Sequence, residues 1–591
     1  MKHILKAPRA NNDNAKLRLP SETPLNLPMK KQILGALCLL AALPALAANP
    51  PALIPAPQKM EAQAGQFTLT PDTRIYVDFA SRDTGKFLAQ QLRGATGYKL
   101  PVSTEFLSGA PKPGGILLTT KSAATNLGPE GYELTATTNA IVIRAPAQAG
   151  LFYGGQTLRQ LLPPDIFSNH VVAGVDWQVP CVSISDWPRF QWRGMMLDVS
   201  RHFFNKLEVE RLLDEMALHK LNRFHWHLVD DQGWRIQIKK YPELTQVGAW
   251  RQSSAVAAPE TNHLQAPWLD TSAYGPDGRY GGYYTQDDIR EVVAYASARY
   301  IIIIPEIEMP GHSTAALAAF PQLSCSGGPF STDIHNGVNR GIYCTGNEET
   351  YVFLQNVLAE VFELFPTKYI HIGGDEVPIE NWQNCPKDQA VIEREGLKDA
   401  SQLESYFVRR MEKFINAHGH TLIGWSEIRN GGLAENAVVM DWIGGAVEAA
   451  ASGHDVVMSP TGSCYLDYYQ SQNNVAEPRS IGGYVPLEKV YRFEPMPKNL
   501  PAQSAAHILG AQGNLWTEYV ASFPHVEYMA FPRMCAMAEV TWSPKSARNW
   551  DDFKARLQVH AHRLDALGVN YRHASVENPD RDPIQGTEVP H

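Results

Sequence analysis

The strongest constraint on the fold is one pattern that recurs eight times in the later part of the chain. Short apolar runs at 194–199, 223–228, 301–307, 369–373, 421–425, 437–442, 455–459 and 508–514 are separated by stretches with helical periodicity. Strands that alternate with helices form parallel sheets, because a parallel connection needs a crossover long enough to hold a helix. Eight such units between 187 and 568 predict an α/β fold, a (β/α)8 TIM barrel with long loop insertions. Working groups in such barrels collect at the C-terminal ends of the strands. There the chain places Arg201, Asp230-Asp231, Glu306, Glu308, Asp375-Glu376, Trp425, Trp442, Tyr465, Asp467, Trp516 and Glu518.

The preceding segment, 50–185, reads as short strands at 74–79, 115–119 and 140–144 with a helix at 152–162. It predicts a small α+β domain with no catalytic cluster of its own. Ahead of it, Met29-Lys30-Lys31, the apolar run 33–43 and Ala45-Leu46-Ala47 describe a secretory signal peptide over 29–48. Residues 1–28 then stand as a doubtful extension before Met29, and the mature chain is expected to be exported, periplasmic or secreted. That apolar run is too short to span a bilayer, and no later segment is long enough. At the other end, 550–567 reads as an amphipathic helix stopped by Gly568, followed by a polar tail, 569–591, expected to be mobile.

Charge narrows the partners. The net charge of −9 is spread without a basic block, which argues against nucleic acid and for a small-molecule substrate. Thirteen Trp and 23 Tyr suit a sugar, whose rings present apolar C–H faces between hydroxyls. Cys325 and Cys344 bracket a Gly-rich loop and are the expected disulfide. No C-x-x-C pair marks a structural zinc site, and no cofactor is implied. Whether the chain is a monomer or a dimer stays open.

The sharpest motif is His371-Ile372-Gly373-Gly374-Asp375-Glu376-Val377, an apolar strand ending in two glycines and two carboxylates. In most retaining glycosidases the acid and the nucleophile are carboxylates about 5 Å apart across the scissile bond. Neighbours in sequence fit that arrangement badly. They fit a division of labour in which Glu376 is the general acid and Asp375 grips the substrate's acetamido N–H, while the acetamido oxygen attacks C1. Taken alone, the same Asp-Glu pair also reads as a helix cap.

Four blocks resolve that choice: 193–204 (RGMMLDVSRHFF), 225–235 (HWHLVDDQGWR), 305–312 (PEIEMPGH) and 373–376 (GGDE). They resemble the signature blocks of glycoside hydrolase family 20, the β-N-acetylhexosaminidases. Segments 130–134 and 150–158 resemble that family's accessory domain. The resemblance implies exo-acting, retaining hydrolysis of terminal β-linked N-acetylhexosamine through an oxazolinium intermediate. It implies Glu376 as acid and base, Asp375 as the acetamido partner, and Asp230 with His312 beside the acid. By the same likeness Arg201 and Glu518 bind ring hydroxyls, Tyr465 takes the acetamido carbonyl and Asp467 a hydroxyl. Trp425, Trp442 and Trp516 would wall the acetamido group and the sugar face.

Two other readings use the same residues. His225-x-His227 puts two imidazoles on one face of a strand, as in zinc-dependent barrel hydrolases. A sugar-binding protein on a decayed barrel is the non-enzymatic alternative, and retention of both Asp375 and Glu376 argues against it.

Overall fold

The computed structural model describes residues 50–104, 112–253, 274–275, 277–334, 337–580 and 582. The signal-like segment 29–48 and the extension 1–28 lie outside the described residues. Eight parallel strands close on themselves: β1 (Trp192–Asp198), β2 (Arg223–His227), β3 (Ile302–Glu306), β4 (Tyr369–His371), β5 (Thr421–Trp425), β6 (Val438–Asp441), β7 (Val456–Met458) and β8 (Ile508–Leu515). Closure is made by β8 against β1, in register from Gly510 with Trp192 to Leu515 with Leu197. Every predicted strand of the barrel is present, with ends shifted by no more than two residues.

The N-terminal part is a seven-stranded mixed sheet with the helices Arg82–Thr96 and Gln148–Leu161. Its first and last strands, Lys59–Thr68 and Gln178–Asp186, pair antiparallel at one edge. Buried ion pairs join this sheet to the base of the barrel. Lys220 Nζ lies 2.8 Å from Asp186, and Arg193 Nη2 lies 2.8 Å from Glu130. Lys220, Asp186 and Arg193 are buried and Glu130 is 21% exposed, so removing a partner leaves a buried charge unpaired and is costly.

The C-terminal helix spans Trp550–Leu567 and ends on Gly568, whose φ of 70° is the left-handed cap that glycine adopts without strain. Residues 569–580 and 582 are packed, where a mobile tail was expected; the rest of that tail lies outside the described residues. Tyr571 and Val576 are buried, and Arg572 pairs with Glu477 at 2.6 Å. A tail with its own apolar anchors and a buried guanidinium has a reason to stay in place. Among the described residues, no helix is long and apolar enough to cross a membrane.

Candidate active site

β4 stops at His371, and Gly373 and Gly374 follow at φ values of 68° and 82°. A Cβ on Gly373 would fall 1.6 Å from the Glu308 carboxylate, so only glycine fits there. The turn aims the two carboxylates differently. Asp375 is tucked away, whereas the Glu376 side chain is 40% exposed. No helix starts at this pair; the next one, Glu380–Gln383, has no side-chain cap, so the capping role is excluded. Glu376 itself sits at φ 48° and His312 at φ 46°, left-handed values that cost a non-glycine residue about 1–3 kcal/mol. Such strain persists where the surroundings over-determine a working geometry.

His312 is the hinge of the electrostatics. Its Nδ1 lies 3.2 Å from both Asp230 and Asp231, and its Nε2 lies 3.5 Å from Glu376 and 3.7 Å from Asp375. Burial opposes a charge on the ring, but Asp230 and its neighbours hold the imidazolium well above its ordinary pKa. Contact with His312 in turn lowers the pKa of Glu376. Burial pushes Asp375 up to about 8. In the free protein burial thus favours the protonated form of Asp375, and His312 favours the ionised form of Glu376.

Around the pair lies a cavity of about 310 Å³, lined by Arg201, His312, Trp442, Tyr465, Asp467, Trp516 and Glu518 among others. That is the low end of small-molecule pockets and suits one sugar unit. Arg201 Nη2 lies 2.7 Å from Asp230, its guanidinium carbon is 5.0 Å from the Trp516 ring centre, and Asp198 backs it at 3.3 Å. Trp442 and Tyr465 stand nearly parallel, at 17° and 6.0 Å between centroids, and Trp442 donates to Glu427 at 2.8 Å. Burial, then Glu518, pushes Asp467 well above the carboxylate range, and burial raises Glu518 too. Of the eleven residues expected at the site, two stand one layer back. Asp230 holds His312 and Arg201 from behind, and Trp425 donates to Glu306 at 2.8 Å beneath the pocket floor.

The two histidines of the zinc reading are joined by a third on one buried carboxylate. His225, His227 and His371 all converge on Glu306, with His225 at 3.0 Å and His371 at 2.8 Å. Burial resists the charge, but the three rings hold Glu306 ionised well below its ordinary range. His227 also reaches Asp230 at 3.0 Å, so this buried group braces the residues above it. Glu427, Tyr468, Ile481 and Val338 join the site or its rim without any sequence motif to announce them. They come from loop insertions, where no periodicity constrains the pattern.

The expected Cys325–Cys344 bridge is corrected. The loop does bring these residues together, but both are free thiols, gathered with Cys385 and Asp388. A third thiol and a carboxylate share the space that a bridge would close.

Residues 190–545 match the model of glycosyl hydrolase family 20, catalytic domain, and 50–187 match that family's domain 2. The chain belongs to glycosyl hydrolase family 20. A relative, the "Beta-hexosaminidase" of Porphyromonas gingivalis, is 42% identical over 89% of this chain, which spans 65% of that protein's length. The "Beta-hexosaminidase" of Vibrio furnissii is 36% identical over 84% of this chain and 77% of its own. Among solved structures, the Streptomyces plicatus N-acetyl-beta-hexosaminidase in complex with Thio-NAglucal superposes with a TM-score of 0.75. It is 34% identical and covers 88% of this chain and 96% of its own. A family 20 exo beta-N-acetylglucosaminidase from Vibrio harveyi in complex with N-acetylglucosamine gives 0.75 at 34% identity, over 90% and 79%.

Proposed function

We propose that this chain is an exo-acting β-N-acetylhexosaminidase that releases terminal, β-linked N-acetylglucosamine, with N-acetylgalactosamine tolerated, and retains configuration. One observation carries the reading. Asp375 Oδ1, Asp467 Oδ1 and Glu518 Oε2 are buried oxygens without a hydrogen-bond partner, on three residues that line one pocket beside Trp442, Tyr465 and Trp516. Buried acceptors left open require donors. A sugar brings hydroxyls for Asp467 and Glu518 and an amide N–H for Asp375.

The acetamido oxygen attacks C1 while the Glu376 carboxyl protonates the leaving oxygen and the glycosidic bond breaks. The resulting oxazolinium is opened by water, whose proton passes to the Glu376 carboxylate, and the acetamido group is restored. Two inversions retain the β configuration. Binding also prepares the proton. An amide N–H pointed at Asp375 favours its ionised form, and a glycosidic oxygen beside Glu376 favours its acid form. Substrate thus moves one proton between neighbours that share His312, with no net uptake. The leader-like segment 29–48 supports an exported enzyme, periplasmic or secreted.

A β-linked chitotriose labelled at its reducing end tests the exo mode. Single N-acetylglucosamine units should appear first, together with a labelled dimer. Release of a labelled monosaccharide from the reducing end as the first product would refute it.

A further inference from the structure

Among the described residues, a set of four metal-ligating groups lies outside the pocket, at the base of the loop that supplies the pocket wall. Ser324 and Tyr343 form an antiparallel bridge, and the Cys344 amide donates to Leu323 at 2.8 Å, which sets Cys325 beside Cys344. Cys385 immediately precedes the helix Pro386–Glu395, and Asp388 lies in its first turn. The four ligand atoms all lie within 4.8 Å of one another.

The spacings of Cys344, Cys385 and Asp388 are those of a coordination shell, and Cys325 sits tighter on Asp388. Zinc binds thiolate at about 2.3 Å and carboxylate at about 2.0 Å, so a tetrahedron has S···S edges of about 3.8 Å and S···O edges of about 3.5 Å. Cys344 Sγ is 3.7 Å from Cys385 Sγ and 3.5 Å from Asp388 Oδ1, and Cys325 Sγ is 2.9 Å from Asp388 Oδ2. A disulfide would need sulfurs about 2.05 Å apart. The charge balance points the same way. Asp388 is fully buried, and its side-chain contacts among the described residues are with thiols and a backbone amide, none with a Lys, Arg or His. Its carboxylate accepts from the Gly346 amide and is otherwise contacted by the Cys325 and Cys344 thiols. A buried carboxylate without a cation is expensive, and a cation bound by soft sulfur ligands removes that cost. Ile342, Trp382 and Val391 form an apolar shell beside the group.

We infer that Cys325, Cys344, Cys385 and Asp388 form a structural zinc site. The ion ties the base of the 324–344 loop to the helix Pro386–Glu395. From that loop Gly337 and Val338 reach the pocket, the Asn339 amide reaches Asp231 at 3.4 Å, and the Gly341 carbonyl accepts from Ser313 at 3.1 Å. The site is remote from the reacting atoms and holds the wall in place. Its sequence signature, a Cys pair closed by a loop and then C-x-x-D, evades a search for C-x-x-C.

The test is elemental analysis of the full chain, purified without chelator or reductant. About one zinc per chain is expected, and Cys344→Ser and Cys385→Ser should each lose it. Cobalt(II) exchanged into the unsubstituted chain should show tetrahedral d–d bands with thiolate charge transfer, a readout that does not depend on the variants folding. Denatured in chelator without reductant, the chain should have Cys325, Cys344 and Cys385 all open to alkylation. A metal-free chain that yields no cobalt spectrum, or a disulfide mapped between any two of the three, would overturn the inference.

Discussion

Glu376→Gln should keep ligand binding and lower kcat by about 10²–10⁴-fold on substrates with poor leaving groups, the range of general acid assistance. Glutamine preserves the shape of the side chain but has no proton to give to the leaving oxygen. An aryl glycoside with an acidic phenol needs little protonation to depart, so its first step should suffer far less. The second step still needs a base, so the intermediate should drain slowly and a burst of phenol should precede a slow steady state. Pre-steady-state kinetics on the two substrate classes separate these effects. Equal, small losses on both would remove Glu376 from the acid role.

Asp375→Asn should cost about 10²–10³-fold in kcat, the range seen when one preorganised electrostatic group is removed from a developing charge. It should also weaken binding of a thiazoline mimic of the intermediate, because a site complementary to the reacting state binds its analogues tighter than substrate. The same substitution should stabilise the fold, in a way that depends on pH. Burial raises Asp375 to about 8 in the native state. In the unfolded chain it ionises near an ordinary value of about 4. Between those values the native state holds a proton that the unfolded state has lost, so stability falls as pH rises through that window. Asparagine carries no such penalty. Its gain in Tm should be small at pH 4 and grow towards pH 8, read by thermal unfolding with bound ligand absent. A gain that does not vary with pH would mean that the native Asp375 is ionised throughout.

How far the sequence was legible follows from what each signal depends on. The barrel strands are short apolar runs bounded by polar ends, and the closure of the sheet requires nothing that local pattern does not show. Asp375 and Glu376 stood out because two glycines and two acids after an apolar strand make a rare combination. Which of the two favours its protonated form was hidden, because that depends on burial and on His312, 63 residues before Asp375. The Glu306 cluster was hidden for the same reason. Its three histidines sit on two strands and are brought to one carboxylate only by the closure of the barrel. The thiol group escaped because its halves lie on separate loops, and Cys325 with Cys344 alone resembles a simple bridge.

The central claim is that the substrate supplies its own nucleophile. Its most direct test compares aryl β-N-acetylglucosaminide with the matching aryl β-glucoside, which differs only in lacking the acetamido group. The first should be cleaved with the β-anomer as the initial product by proton NMR, and the second should be almost inert. Rapid cleavage of the plain glucoside, or a glycosyl ester trapped on a carboxylate of the protein, would contradict it.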